Sequence, residues 1–241
     1  MWALTRCRFD EHALDGQLLL TMKSRPFVAE FLGTALLIIA VVGSGIMGER
    51  LSAGNAAVAL LANAIATGAA LFVLIHIFGP VSGAHFNPVV STYMRLKGKL
   101  TNSDWAGFIV CQTIGAVVGV VITHYIFALP LLQVSRHARD GMPQVISEAI
   151  ATFGLLLTIC AFERSRSDLT PSGVALYITG AYWFTSSTSF ANPSVTIARM
   201  FTNTFAGIAP QSVPGFIVGE VLGLIVFTVF WRYFSVVEGN I

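Results

Sequence analysis

Few residues in this chain carry chemistry, and two Asn-Pro pairs stand out among them. Asn87-Pro88 closes the polar, Gly-containing run Ser82-Gly83-Ala84-His85-Phe86-Asn87-Pro88-Val89, and Asn192-Pro193 sits in a second run, Phe190-Ala191-Asn192-Pro193-Ser194-Val195, that repeats the Phe-(Ala)-Asn-Pro core. Asn accepts backbone N–H bonds through its side-chain oxygen at a helix start, and Pro is best tolerated at the first helical position. Each pair therefore predicts a helix start, and the apolar run after each is too short to cross a bilayer. One Asn-Pro is only a turn signal; two, one in each half of an apolar chain, point to a site built from broken helices. Glu30, Glu148 and Glu220 lie within apolar runs, where a carboxyl serves either as a proton relay or as a partner for re-entrant backbone N–H groups. The second role is the expected one for Glu30 and Glu148, and a packing role for Glu220, the counterpart of Gln112. His85 and His76 have no Cys or carboxylate at ligand spacing, so a loop-fastening role is expected for His85 and no metal site. The serines at 186, 187 and 189 have no His or Lys close in sequence, so no nucleophilic catalysis and no cofactor are expected.

The elements that position these residues follow from composition. Of 241 residues, 55% are hydrophobic and 11% charged, with mean hydropathy +0.75, which marks an integral membrane protein. The net charge of +2 is spread out, so no nucleic-acid partner is expected. Cys7, Cys111 and Cys160 read as small hydrophobes rather than a disulfide framework. Residues 1–25 form a polar cytoplasmic tail without a leader-like core, and Met22 is an alternative start just ahead of the first apolar run. Apolar runs at 27–47, 53–78, 104–127, 144–162, 171–185 and 214–234 predict six spans, with half-helices after Asn87 and Asn192. The first repeat covers 26–128, an outer loop 129–143, the second repeat 144–236, and a short cytoplasmic tail 237–241. With the N-terminus inside, ten Lys and Arg fall on the cytoplasmic side against four outside (Arg50, Arg136, Arg139, Arg199), which places both termini in the cytoplasm.

The halves repeat internally. Glu30-Phe-Leu-Gly-Thr34 matches Glu148-Ala-Ile-Ala-Thr152, and Phe108-Ile-Val-Cys-Gln112 matches Phe216-Ile-Val-Gly-Glu220. Three spans per half is an odd number, so the halves enter the membrane from opposite sides as an inverted repeat, with the two half-helix starts meeting near the midplane. Gly115 and Gly119, like Gly219 and Gly223, form small-xxx-small patterns that let helix backbones approach closely.

These features together resemble the major intrinsic protein family, the aquaporins and aquaglyceroporins, from about Met22 to Phe234. The resemblance implies an all-α integral membrane fold, the inverted-repeat aquaporin fold of six transmembrane helices plus two re-entrant half-helices, in the plasma (inner) membrane. It also implies a homotetramer with one pore per subunit, the lipid bilayer and small neutral solutes being the other partners. The pore asparagines and half-helix starts are then Asn87, Pro88, Val89, Asn192, Pro193 and Ser194, supported by Glu30, Glu148 and His85. By the family spacing the outer filter falls on Thr67, Gly180, Ser189 and Val195. The family's third signature residue is normally Ala, here Val89 and Ser194, and the Arg that normally follows the second signature is here Val195.

Those four filter residues predict a wide opening with two hydroxyls and no charge, passing glycerol, other small polyols, water and arsenous or antimonous acid. The chain looks most like the bacterial aquaglyceroporins associated with arsenic resistance. Arg199, one turn beyond Val195, either snorkels to the interface or restores charge at the outer mouth. The competing readings are a channel mainly for water and a proton-coupled secondary transporter that uses Glu30 or Glu148.

Overall fold

The computed structural model describes the backbone of residues 11–238 and the side chains of residues 23–235. Expectations about the polar tail, Met22 as a start and the end of the chain fall outside the side chains described. Among the described residues there are eight α-helices, two short 3-10 turns and no strand.

Helix α1 (Glu11–Leu51) carries the first apolar run and is followed by α2 (Ala56–Ser82), which Asn55 caps by accepting from the backbone N–H groups of Ala57 and Val58. Sequence reading ends this second span at Phe78, before Gly79-Pro80. The helix instead runs through Pro80 and stops at Gly83, which takes a left-handed φ of 88° and donates its N–H to the carbonyl of Gly79. Pro80 forgoes one helical bond, to the carbonyl of His76, without ending the helix, and Gly supplies the left-handed turn that terminates it.

The short helix α3 (Pro88–Leu96) follows Asn87, and α4 (Asn102–Ile126) starts at Thr101, whose hydroxyl accepts from Asp104 N–H. A connecting loop leads to α5 (Met142–Ser165), and a 3-10 turn (Ser167–Leu169) leads directly into α6 (Thr170–Phe184). The second short helix, α7 (Pro193–Arg199), follows Asn192, and α8 (Val213–Glu238) ends the described chain.

Five helices among the described residues are long and apolar enough to cross a bilayer: the Lys23–Leu51 part of α1, α2, α4, α5 and α8 with its leading turn. The expected fifth span, α6, has 15 residues, about 22 Å of helix against ~30 Å of hydrocarbon. It stops at Phe184 because Thr185 turns extended and its hydroxyl donates back to Ala181 O. The preceding 3-10 turn, Ser167–Leu169, is about 6 Å long.

Helix α1 packs on α4 and α2, α5 packs on α8, and α2 packs on α6. The small-xxx-small positions lie at two of these contacts. A Cβ on Gly119 would stand 2.6 Å from Ala35 O of α1, and one on Gly223 2.5 Å from Ala149 O of α5. Gly115 and Gly219 meet Phe31 O and Val145 O in the same way. Ile38, Val120, Leu156 and Phe227 are fully enclosed, whereas Ile65, Ile77, Val110, Leu176 and Val229 are exposed on the outer faces. Apolar side chains on both the inside and the outside are what a chain surrounded by lipid requires.

Candidate functional site

The segments leading into α3 and α7 fold back into the helix bundle, where they need hydrogen-bond partners that lipid does not supply. Both are strained. Ala84 and Phe86 ahead of Asn87, and Ser189 and Ala191 ahead of Asn192, have positive φ between 46° and 50° although none is glycine. Such residues cost of order 1–3 kcal/mol each and persist only where their surroundings hold them. Two buried carboxylates do the holding. Glu30 accepts His85 N–H at 3.0 Å through Oε1 and Phe86 N–H at 2.7 Å through Oε2, and it also takes the Ser82 hydroxyl and Gln112 Nε2. Glu148 accepts Phe190 N–H at 2.9 Å and Ala191 N–H at 2.6 Å through its two oxygens. These are the bonds that the supporting role expected for Glu30 and Glu148 calls for. Glu220 Oε1 takes Asn192 N–H at 3.0 Å and the Thr196 hydroxyl at 2.7 Å.

The asparagines lock the two segments together. Asn87 Oδ1 caps α3 by accepting Val89 N–H at 2.9 Å, and Asn192 Oδ1 caps α7 by accepting Ser194 N–H at 3.0 Å and Val195 N–H at 3.3 Å. Each side-chain amide then crosses to the other segment: Asn87 Nδ2 donates to Ala191 O at 2.7 Å and Asn192 Nδ2 donates to Phe86 O at 2.8 Å. An amide nitrogen carries two hydrogens, so each keeps one donor beyond that bond. His85 Nδ1 lies 3.1 Å from Ser91 Oγ, which ties the first segment to α3.

Both asparagines border a cavity of about 320 Å³. Its long walls come from stripes at i, i+4, i+8 on three helices: Thr67, Leu71 and Ile75 of α2; Leu155, Ile159 and Glu163 of α5; Val174, Ile178 and Tyr182 of α6. That spacing keeps one face of a helix on the cavity throughout. Leu37 and Val41 of α1 and Val90 of α3 complete an apolar side, while the polar groups are Asn87, Asn192, His85, Thr67, Ser189, Tyr182 and Arg199. Lys99 and Glu163 meet beside it in an ion pair at 3.0 Å.

The structure gathers Thr67, Ser189, Val195, Asn87, Asn192 and His85 on this cavity. Pro88, Val89, Pro193, Ser194, Glu30 and Glu148 stand behind it, shaping the two helix starts and loops. Gly180 does not line it. Tyr182 does, with its hydroxyl 3.2 Å from Thr67 Oγ1. Two residues along an α-helix is about 200° of rotation, so if Tyr182 faces inward, Gly180 faces away.

The cavity also meets a cation that the four expected filter residues do not include. Arg199 is 2% exposed and lines the same cavity as Val195. It sits at i+4 from Val195, and helical side chains lean toward the N-terminus, so the guanidinium reaches back over the turn that Val195 occupies. Burial at this depth also removes the snorkelling alternative. The i+4 spacing was the available sequence signal for Arg199; Tyr182 had none, because the rotation of α6 about its axis is set by packing.

Comparison with known proteins agrees with this architecture. The chain is 54% identical over 202 residues to aquaglyceroporin AqpS of Rhizobium meliloti (strain 1021), covering 84% of this chain and 86% of the relative. It is 30% identical over 224 residues to aquaporin TIP2-3 of Zea mays, covering 86% and 88%. The X-ray structure of the aquaglyceroporin from Plasmodium falciparum matches the fold with a TM-score of 0.65 at 23% identity, over 86% of this chain and 94% of that one. Residues 19–186 match the model of the major intrinsic protein family. Two Asn-capped half-length helices held face to face by buried glutamates, inside a bundle of apolar helices, thus belong to a multi-pass membrane protein of the major intrinsic protein family, a family of channels rather than enzymes.

Proposed function

We propose that the cavity is the pathway of a passive channel for small neutral solutes: water, glycerol and other small polyols, and uncharged hydroxides such as arsenous and antimonous acid. The observation that carries this reading is the wall itself. An apolar side of Leu37, Val41, Leu71, Val90 and Ile178 faces spare amide donors on Asn87 and Asn192 and hydroxyls on Thr67, Ser189 and Tyr182. A solute that gives up part of its hydration finds a few replacement bonds, and the apolar side keeps those bonds too few to trap it. Ser189 lines the cavity, and its Oγ has no hydrogen-bond partner among the described residues. Both half-length helices turn their N-termini toward this passage, each equivalent to about half a positive charge, and oppose cations there. The relative named an aquaglyceroporin supports a solute range wider than water.

In this proposal Thr67, Ser189 and Val195 form the outer filter, with Val195 giving room where the family pattern has arginine. The two halves form an inverted repeat with both termini in the cytoplasm, and four copies assemble in the plasma membrane. The second reading, a channel mainly for water, draws on Tyr182 and Arg199, which fill part of the opening.

Stopped-flow light scattering on proteoliposomes tests the two, with water, glycerol and arsenous acid as solutes and Val195→Arg as the variant. The unmodified chain is expected to pass all three, and the variant to lose the larger two while keeping some water flux. Water flux alone from the unmodified chain overturns the solute reading in favour of the second.

A further inference from the structure

We propose that Arg199 is the cationic group of this channel's outer filter, standing in from the next turn of α7 for the arginine that the family pattern places at Val195. The charge is moved along the helix rather than lost. Val195 offers no donor, yet the same face of α7 brings Arg199 to the cavity wall beside Tyr182, Ser189 and Val195.

Its guanidinium is enclosed, and the hydrogen bond it makes among the described residues is from Nε to Ala206 O. No acceptor among the described residues is bonded to the two terminal nitrogens, so their hydrogens are available to oxygen atoms of whatever fills the cavity. A buried charge persists only where something compensates for lost water, and here part of that comes from Phe190, whose ring centroid lies 3.4 Å from the guanidinium carbon. Ala206 O and the nearby carboxyl of Glu148 supply more of it, and water or solute in the passage completes it.

A second guanidinium backs the first. Arg139, from the loop between α4 and α5, donates to Gly207 O at 3.0 Å and Ser187 O at 3.3 Å, and its guanidinium carbon lies 5.2 Å from the Phe190 centroid. The loop is itself fastened over the end of α7: Ser135 N–H donates to Met200 O and Ala209 N–H to His137 O. Arg139 does not touch the cavity and is a positioning residue that adds positive potential behind Phe190 and helps hold the ring in place.

A filter of this kind repels small cations and orients solutes that present acceptor oxygens. Val195 meanwhile leaves the cross-section that an arginine at its own position would occupy.

The inference rests on the cavity being the solute pathway, and glycerol flux in the same vesicles reports on that point separately. The experiment measures methylammonium uptake alongside water and glycerol flux in proteoliposomes of the full chain, Arg199→Gln, Arg139→Gln and the double variant Val195→Arg/Arg199→Gln. Glutamine keeps an N–H for Ala206 O but carries no charge. The unmodified chain is expected to hold methylammonium at the vesicle background. Relative to the water flux of the same vesicles, Arg199→Gln should raise uptake at least tenfold, Arg139→Gln by a smaller factor, and the double variant should return it to background. An Arg199→Gln channel that conducts water and glycerol without added methylammonium uptake overturns the proposal.

If that variant fails to insert, the unmodified chain decides. Methylglyoxal, an arginine reagent of about glycerol's size, should modify Arg199 in intact vesicles more slowly when glycerol is in excess. Arg199 left unmodified in vesicles that pass glycerol overturns the assignment.

Discussion

Replacing Glu148 tests whether the carboxylates hold the re-entrant segments or carry protons. Glu148 is fully buried and takes Phe190 N–H and Ala191 N–H on separate oxygens, at 2.9 and 2.6 Å. Alanine removes both acceptors and leaves two enclosed donors, one of them on a residue held at φ 46°. At about 1–3 kcal/mol per orphaned donor, Glu148→Ala should lose about 2–6 kcal/mol. Glutamine keeps one acceptor but turns an NH₂ toward the other N–H, so Glu148→Gln should lose about 1–3 kcal/mol. Unfolding in mixed micelles with increasing SDS, followed by circular dichroism, gives the ordering alanine, then glutamine, then the unmodified chain. Glycerol flux through surviving Glu148→Gln protein should not respond to an imposed pH gradient. Equal SDS midpoints for all three proteins would refute the structural role, and gradient-dependent flux in the unmodified chain that vanishes in Glu148→Gln would establish the transporter reading instead.

Gly223→Ala should destabilise the fold by more than 1 kcal/mol in the same assay, because the new methyl lands 2.5 Å from Ala149 O, whereas Gly79→Ala, with open space around it, should gain about 0.5–1 kcal/mol from helix propensity. Equal responses at the two sites would rule out close backbone contact as the reason for Gly223. Asn192→Ala removes the cap on α7 and the bond to Phe86 O; a loss of about 1–3 kcal/mol, together with most solute flux, is expected by SDS titration and stopped flow. The Lys99–Glu163 pair has side chains 54% and 37% exposed, so Glu163→Gln should shift stability by less than about 1 kcal/mol and glycerol flux less than twofold.

Much of this protein is fixed by local sequence. Asn87-Pro88 and Asn192-Pro193 start helices wherever they fall, since capping and the fixed φ of proline act within one turn. The apolar lengths of α1, α2, α4, α5 and α8 declare the membrane by composition. Glu30 and Glu148 are legible as partners of the re-entrant loops because a carboxyl in lipid needs donors, and those loops supply them.

The site's outer end depends on contacts that cross the chain. Which face of α6 meets the cavity, and so Tyr182 rather than Gly180, follows from how α6 rotates to pack on α2, with the Thr67 and Tyr182 hydroxyls hydrogen-bonded to each other across 115 residues of sequence. The enclosure of Arg199 follows from a distant loop: the strand of backbone around Ser135 and His137 lies over the end of α7, and Phe190 slides beneath the guanidinium. Periodicity and motif spacing see neighbours within a turn or two, so the sequence located both half-length helices and their asparagines. Where the positive charge stands relative to the cavity was decided by long-range packing, because only a folded chain brings α6, α7 and the connecting loop to the same wall.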